Sequence, residues 1–119
     1  MNTRQAAKPR INRQSERYWP LRELSLTYEG HSENIPVRPP DLSSRGMFIN
    51  TASHFPEGAV LNLRFRLARS DFVVNTRCEV RYCLPGVGIG VEFVQIPPEA
   101  VRAIEREIRV ANRPLVQKS

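Results

Sequence analysis

Two runs of side chains have the types and spacing to hold a ligand. The first is Arg13-Gln14-Ser15-Glu16-Arg17, which sets two guanidinium groups four residues apart, with Arg10 and Asn12 just ahead of them. A guanidinium is always charged, and its planar fork of donors can hold a phosphate. The second is Asp41-Leu42-Ser43-Ser44-Arg45-Gly46, a polar run directly before the apolar triplet Met47-Phe48-Ile49. Its Asp41 carboxylate accepts hydrogen bonds, and its Ser43 hydroxyl can bond a ligand or its own backbone. Gly46 allows a positive φ or a close approach. By itself this second run also describes an ordinary Asx-type turn leading into a strand. Arg45 within it points either to a phosphate or to solvent, and solvent is the plainer reading.

The charge of the chain gathers around the first run. Eighteen Lys and Arg stand against 12 Asp and Glu, for a net +6. The first 22 residues hold Arg4, Lys8, Arg10, Arg13, Arg17 and Arg22 against Glu16 alone, so five of the six net charges lie there. The rest of the chain is nearly neutral. Such a concentration implies an anionic partner that meets this segment, or else a solubilising tail.

Length and composition narrow the classes further. A chain of 119 residues makes one domain, and 40% apolar with 25% charged residues suits a globular protein rather than a disordered one. No apolar run approaches the roughly 18 residues that span a bilayer. The charged N-terminus MNTRQAAKPRINRQ is followed by no apolar stretch. The expectation is therefore no membrane insertion, no secretory signal and a cytoplasmic protein. Cys78 and Cys83 do not have zinc spacing, and His31 and His54 are distant from them in sequence, so reduced thiols and no metal are expected. Neither histidine has a neighbouring nucleophile or carboxylate constellation, and no phosphate-loop motif occurs, which reads against an enzyme.

The elements that must position the two runs are mostly strands. Leu24 to Tyr28 alternates apolar and polar residues, and Glu29-Gly30 signals a turn. Ile35-Pro36-Val37 is a short extended piece, and Met47-Phe48-Ile49 a brief apolar strand. In Val60 to Leu67, Leu61, Leu63, Phe65 and Leu67 share one face, with Asn62, Arg64 and Arg66 on the other. In Phe72 to Tyr82, Phe72, Val74, Thr76, Cys78, Val80 and Tyr82 share a face. Such alternation marks an antiparallel sheet with one buried and one wet side. Val87 to Val94 places Ile89, Val91 and Phe93 on one side, while Gly88 and Gly90 leave the other bare. Pro97-Pro98 then starts a helix with an apolar stripe of Val101, Ile104, Ile108 and Ala111, which Pro114 stops. Six short strands followed by one amphipathic helix predict a mainly β sandwich or barrel. The helix can cap one barrel end or meet a partner.

An Arg-x-x-x-Arg before the first strand and an Asp-x-Ser-x-x-Gly before the third resemble the signature of the PilZ domain family. Glu79-Val80-Arg81-Tyr82, Gly88-Ile89-Gly90-Val91-Glu92-Phe93 and a terminal helix resemble its closing elements. The similarity runs over roughly residues 10 to 110. It implies a six-stranded antiparallel β-barrel with a C-terminal helix and a flexible basic N-terminal segment. The division expected is residues 1–20 for that segment, 21–112 for the barrel with its helix, and 113–119 for a tail.

The resemblance also implies a ligand, cyclic di-GMP, with no other cofactor, and a site made of Arg13, Arg17, Asp41, Ser43 and Gly46. Their chemistry suits it. An arginine fork matches the O6 and N7 acceptors of guanine, and the same fork holds a phosphate, while a carboxylate such as Asp41 accepts from the donor edge of the base. Arg10, Asn12 and Arg45 are further contacts. Many family members carry an arginine where this chain has Asn12, a position tied to whether one ligand or a stacked pair binds, so stoichiometry stays open; Arg10 can supply a stacking guanidinium instead. Trp19 either pins the N-terminal segment to the barrel or is a core aromatic. The mechanism implied is a ligand-gated adaptor: binding neutralises the arginines, folds the segment over the barrel and changes a surface that an unidentified partner protein reads in trans. Motility and biofilm formation are the processes that the family brings with it. Two other readings compete: a nucleic-acid-binding barrel with a basic arm, and a ligand-independent protein interaction module. The strands lack the paired exposed aromatics that stack single-stranded bases, which argues against nucleic acid. The intact Arg and Asp-Ser-Gly elements argue against the module.

Overall fold

The computed structural model describes residues 19–37 and 41–111. Arg10, Asn12, Arg13, Arg17, the segment 1–18 and the tail from residue 112 lie outside the described residues. Six strands form one antiparallel sheet: β1 Leu21–Tyr28, β2 His31–Asn34, β3 Gly46–Asn50, β4 Val60–Leu67, β5 Val73–Leu84 and β6 Gly88–Val94. Their order across the sheet is β2-β1-β4-β5-β6-β3, and one helix, α1 Pro98–Ala111, follows β6. The sheet curls into a half-barrel, so the expected mainly β architecture with a C-terminal helix stands. The two edge strands are tied by side chains: the Glu33 carboxylate of β2 accepts from the Thr51 and Ser53 hydroxyls just after β3, at 3.1 and 3.3 Å.

Alternation dictates most of this. Leu61, Leu63, Phe65 and Leu67 of β4 turn inward and meet Val74, Cys78 and Val80 of β5 and Ile89, Val91 and Phe93 of β6. The Phe65 and Phe93 rings stack with centroids 6.0 Å apart. Cys78 packs at the centre of this cluster, and burial pushes its thiol up to about 12, so it stays protonated and serves as a small apolar residue. Both cysteines are free thiols.

Three expectations need correction. The second strand is His31–Asn34 rather than Ile35-Pro36-Val37. It is an edge strand of polar residues, held in register by the two-residue turn Glu29-Gly30, whose residues both have positive φ (50° and 84°). That turn geometry fits the right-handed twist of a hairpin, so β2 forms without an apolar face. Second, Tyr82 does not lie on the core face. A register shift between Val80 and Tyr82 inserts Arg81 as an extra residue, after which Cys83 turns inward and Tyr82 outward, 46% exposed. The Tyr82 ring stacks on Phe48 and covers Gly90, while Phe48 covers Gly88, so the glycine side of β6 is shielded rather than bare. Third, Trp19 is no core aromatic; it is 40% exposed.

Helix α1 starts as its prolines require. Pro98 is the first helical residue, and the Pro97 carbonyl accepts from Ala100 and Val101. Its buried face is rotated from the expected stripe: Ala100, Ala103, Ile104 and Glu107 are buried, while Val101 and Ile108 are only half-buried. Ile104 enters the core, so the helix caps a barrel end. Glu107, 2% exposed, accepts from the backbone N–H groups of Arg69 (3.0 Å) and Ser70 (3.4 Å) in the β4–β5 turn. A buried carboxylate is tolerable because these donors replace water.

Two stability outcomes follow from these contacts. Glu107→Ala strips the acceptor from two turn amides and is expected to cost about 1–3 kcal/mol in a denaturant titration. A Cβ at Gly46 would run into the Val91 carbonyl oxygen, whereas one at Gly90 would meet only the outward Tyr82 ring. Backbone cannot swing aside and a surface ring can, so Gly46→Ala should lower the thermal midpoint clearly more than Gly90→Ala.

Candidate functional site

The residues from Asp41 to Gly46 form a tight hairpin-like loop. Leu42 bridges Met47, the Asp41 carbonyl accepts from the Phe48 N–H at 3.2 Å, and the Ser43 N–H donates to the Gly46 carbonyl at 2.9 Å. The Ser43 hydroxyl accepts from the N–H groups of Arg45 (3.1 Å) and Gly46 (3.3 Å), closing the turn in place of a backbone carbonyl. So Ser43 is already committed locally, as the turn reading allowed. Asp41 is not: its side chain is exposed and has no hydrogen-bond or ion-pair partner among the described residues. Arg45 is likewise exposed at the loop tip with a free guanidinium among the described residues.

Gly46 works differently from one of its two sequence readings. Its φ is not among the positive ones, so it is not there for left-handed backbone. The missing Cβ instead lets β3 approach the Val91 carbonyl of β6. The Arg45 carbonyl accepts from the Phe93 N–H at 2.8 Å, which extends this pairing into the loop. Gly46 lies directly opposite Glu92, and both strands bury their alternate residues, Met47 and Ile49 against Val91 and Ile89. The loop is therefore anchored on both sides: to the core through Met47, and to β6 through the ladder.

The antiparallel register decides what else is near. Leu21 pairs with Leu67, Arg66 with Val73, Arg77 with Val94 and Gly46 with Glu92. The start of β1, the end of β4, the start of β5, the end of β6 and the start of β3 thus share one end of the sheet. Residues Trp19 and Pro20, where the basic segment joins, and the Asp41–Gly46 loop lie at that same end. The Pro20 carbonyl accepts from the Ala68 N–H at 2.8 Å, which fixes the junction there. A depression of about 360 Å3 lies against the first half of β1 and the chain after β2, lined by residues that include Arg22, Glu23, Ile35, Val37 and Arg64.

The outer face of the sheet is laced with exposed ion pairs. Glu23 meets Arg64 and Arg66 at 3.5 Å, Asp71 meets Arg22 and Arg66, and Arg81 meets Glu79 (3.6 Å) and Glu92 (3.5 Å). Sequence reasoning gave His54 no nucleophilic neighbour, but folding brings the Cys83 sulfur to 3.8 Å from its Nδ1. Only the bulge at Arg81, which turns Cys83 inward, reveals that contact. No group of three metal-ligating side chains forms among the described residues, and no described helix is long and apolar enough to cross a membrane.

No curated protein matches the sequence. The family model described as PilZ domain matches residues 11–109, most of the chain, a span that holds all six strands, the loop and most of the closing helix just described. The chain belongs to the PilZ domain family.

Proposed function

We propose that this chain is a cyclic di-GMP receptor that regulates a partner protein in trans. Cyclic di-GMP binding is what the PilZ family is for in general. The observation that carries the reading for this chain is the shared sheet end: the basic segment joins the barrel at the end where the Asp41–Gly46 loop projects. Reach is sufficient. The four inter-strand steps from β1 to β3 span about 20 Å along the sheet, less across its curl. The six residues from Arg13 to Trp19 extend to about 20 Å.

In this reading the parts divide the ligand. Arg13 and Arg17 hold phosphate and the O6/N7 edge of guanine, and the uncommitted Asp41 carboxylate accepts from the donor edge of a base. Ser43 and Gly46 shape the loop: the Ser43 hydroxyl accepts from the Arg45 and Gly46 N–H groups and donates to the Gly46 carbonyl at 3.3 Å, so it would meet the ligand only by exchanging one of these bonds. Arg10, Asn12 and Arg45 border the site. Residues 21–112 are the receptor body and 1–20 the part that responds. Ligand phosphates neutralise Arg13 and Arg17, draw the basic segment onto the loop end and so change the surface offered to the partner.

Isothermal titration of the whole chain with cyclic di-GMP tests this and gives the stoichiometry directly. Wild type should bind at micromolar concentration or tighter. Arg13→Ala and Arg17→Ala should each weaken binding by about 10- to 100-fold, the worth of a lost bidentate contact, with thermal unfolding almost unchanged, since arginine is a residue type that proteins seldom bury. Absence of binding heat for wild type, or both variants binding as well as wild type, would sink the proposal.

A further inference from the structure

Strands β5 and β6 carry a charge arrangement that stability alone does not explain. Glu79 and Glu92 sit directly opposite each other in the register, both on the outer face, Glu92 exposed and Glu79 half-buried. Like charges in that relation are unfavourable. The contrast with β1 and β4 lies in the same sheet, where Glu23 faces Arg66. Between the two carboxylates stands Arg81, the extra residue of the β5 bulge, 56% exposed in its side chain. Exposed ion pairs of this kind return only about 0–1 kcal/mol. Bulges often re-aim a side chain beside a functional site.

The position of the trio gives it a use. Glu92 is the direct partner of Gly46, so its carboxylate flanks the Asp41–Gly46 loop on the β6 side. Asp41 flanks it on the other, its backbone bonded to Phe48 of β3. Two inter-strand spacings separate these flanks, about 10 Å, a span that suits the two bases of one cyclic dinucleotide. The Arg81 guanidinium makes no side-chain hydrogen bond among the described residues; its Nη1 is held by charge at 3.5–3.6 Å from the two carboxylates. A carboxylate beside a guanidinium offers acceptor next to donor. That order matches guanine, where N1–H and the N2 amine adjoin the O6 acceptor. Adenine inverts it, with an acceptor at N1 and a donor at N6. The trio carries net negative charge, which disfavours a phosphate there and leaves a neutral base as the better occupant.

We propose that Glu92 and Arg81 form a second base-reading pair that selects guanine at the position Asp41 does not reach. The proposal rests on the receptor reading above and deepens it. Glu79 is a positioning residue: its charge keeps Arg81 over the outer face at Glu92.

The test is titration of wild type, Glu92→Gln and Arg81→Lys with cyclic di-GMP and with the mixed cyclic GMP–AMP. Wild type should prefer cyclic di-GMP by tenfold or more. Glu92→Gln should weaken cyclic di-GMP about tenfold while changing the mixed ligand, whose single guanine can sit at Asp41, by less than twofold; the preference therefore collapses. Arg81→Lys keeps the charge but loses the fork and should shrink the preference in the same direction. It also carries the test by itself if Glu92→Gln folds poorly, which circular dichroism reports. Wild type that binds cyclic di-GMP while both variants keep its affinity and its preference overturns this inference alone. Wild type that does not bind at all overturns the receptor reading, and this one with it.

Discussion

Strand β3 meets β6 so closely at Gly46 that a side chain there would strike the Val91 carbonyl. That contact is the constraint on which the rest of the binding end depends. It sets Glu92 opposite the last residue of the loop and lets the Arg45 carbonyl take the Phe93 N–H. The same register runs through β5 and β4 to β1, so the place where the basic segment joins the barrel is fixed relative to the loop by backbone pairing rather than by side-chain contacts. The hydrophobic core supports this from beneath. Met47 and Ile49, from the strand that carries the loop, are buried in the cluster that also holds Phe65, Val91 and Ile104. Loop position and core packing are thus one property, and damage to either moves the other.

The electrostatics have a similar division of labour. On the barrel, outward arginines are matched by carboxylates across the sheet, so the body has little net charge to direct an anion. Each of these pairs contributes little to stability, because exposed charges are already well solvated. Their consequence is contrast: five of the six net positive charges belong to the first 22 residues, so an anion drawn by charge would meet that stretch of chain rather than the body of the sheet.

Much of this was legible in the residues, and the exceptions have physical causes. Strand β4 matches its alternating pattern from Val60 to Leu67 without change, because a strand in the middle of the sheet with one buried face writes that pattern most plainly. Tyr82 was misplaced because a bulge changes which face a residue takes without leaving any mark in composition. Strand β2 was displaced to Ile35–Val37 because a polar edge strand is specified by its turn, not by periodicity. Glu107 gave no signal at all; a glutamate in a helix reads as solvated until the turn amides it accepts from are placed beside it. In the site, the spacing of Asp41, Ser43 and Gly46 was readable, but their separate duties were not. Only the fold distinguishes the hydroxyl that closes the turn from the carboxylate that has no partner among the described residues, and only the register brings Glu92 alongside.

That separation bears on how so small a domain could bind a dinucleotide strongly. Binding must offset lost translational freedom and the ordering of whatever closes over the ligand. The loop is held by backbone bonds on two sides and by the Ser43 hydroxyl within, so the backbone that carries Asp41 is fixed in place. Under the proposed reading, the ordering cost would then fall on the arginine segment. A receptor whose rigid half reads the bases and whose chain-delivered half supplies charge can convert occupancy into a change of surface. In the receptor proposed above, the free energy that binds the ligand would also be what moves the segment, so the two would be tuned together.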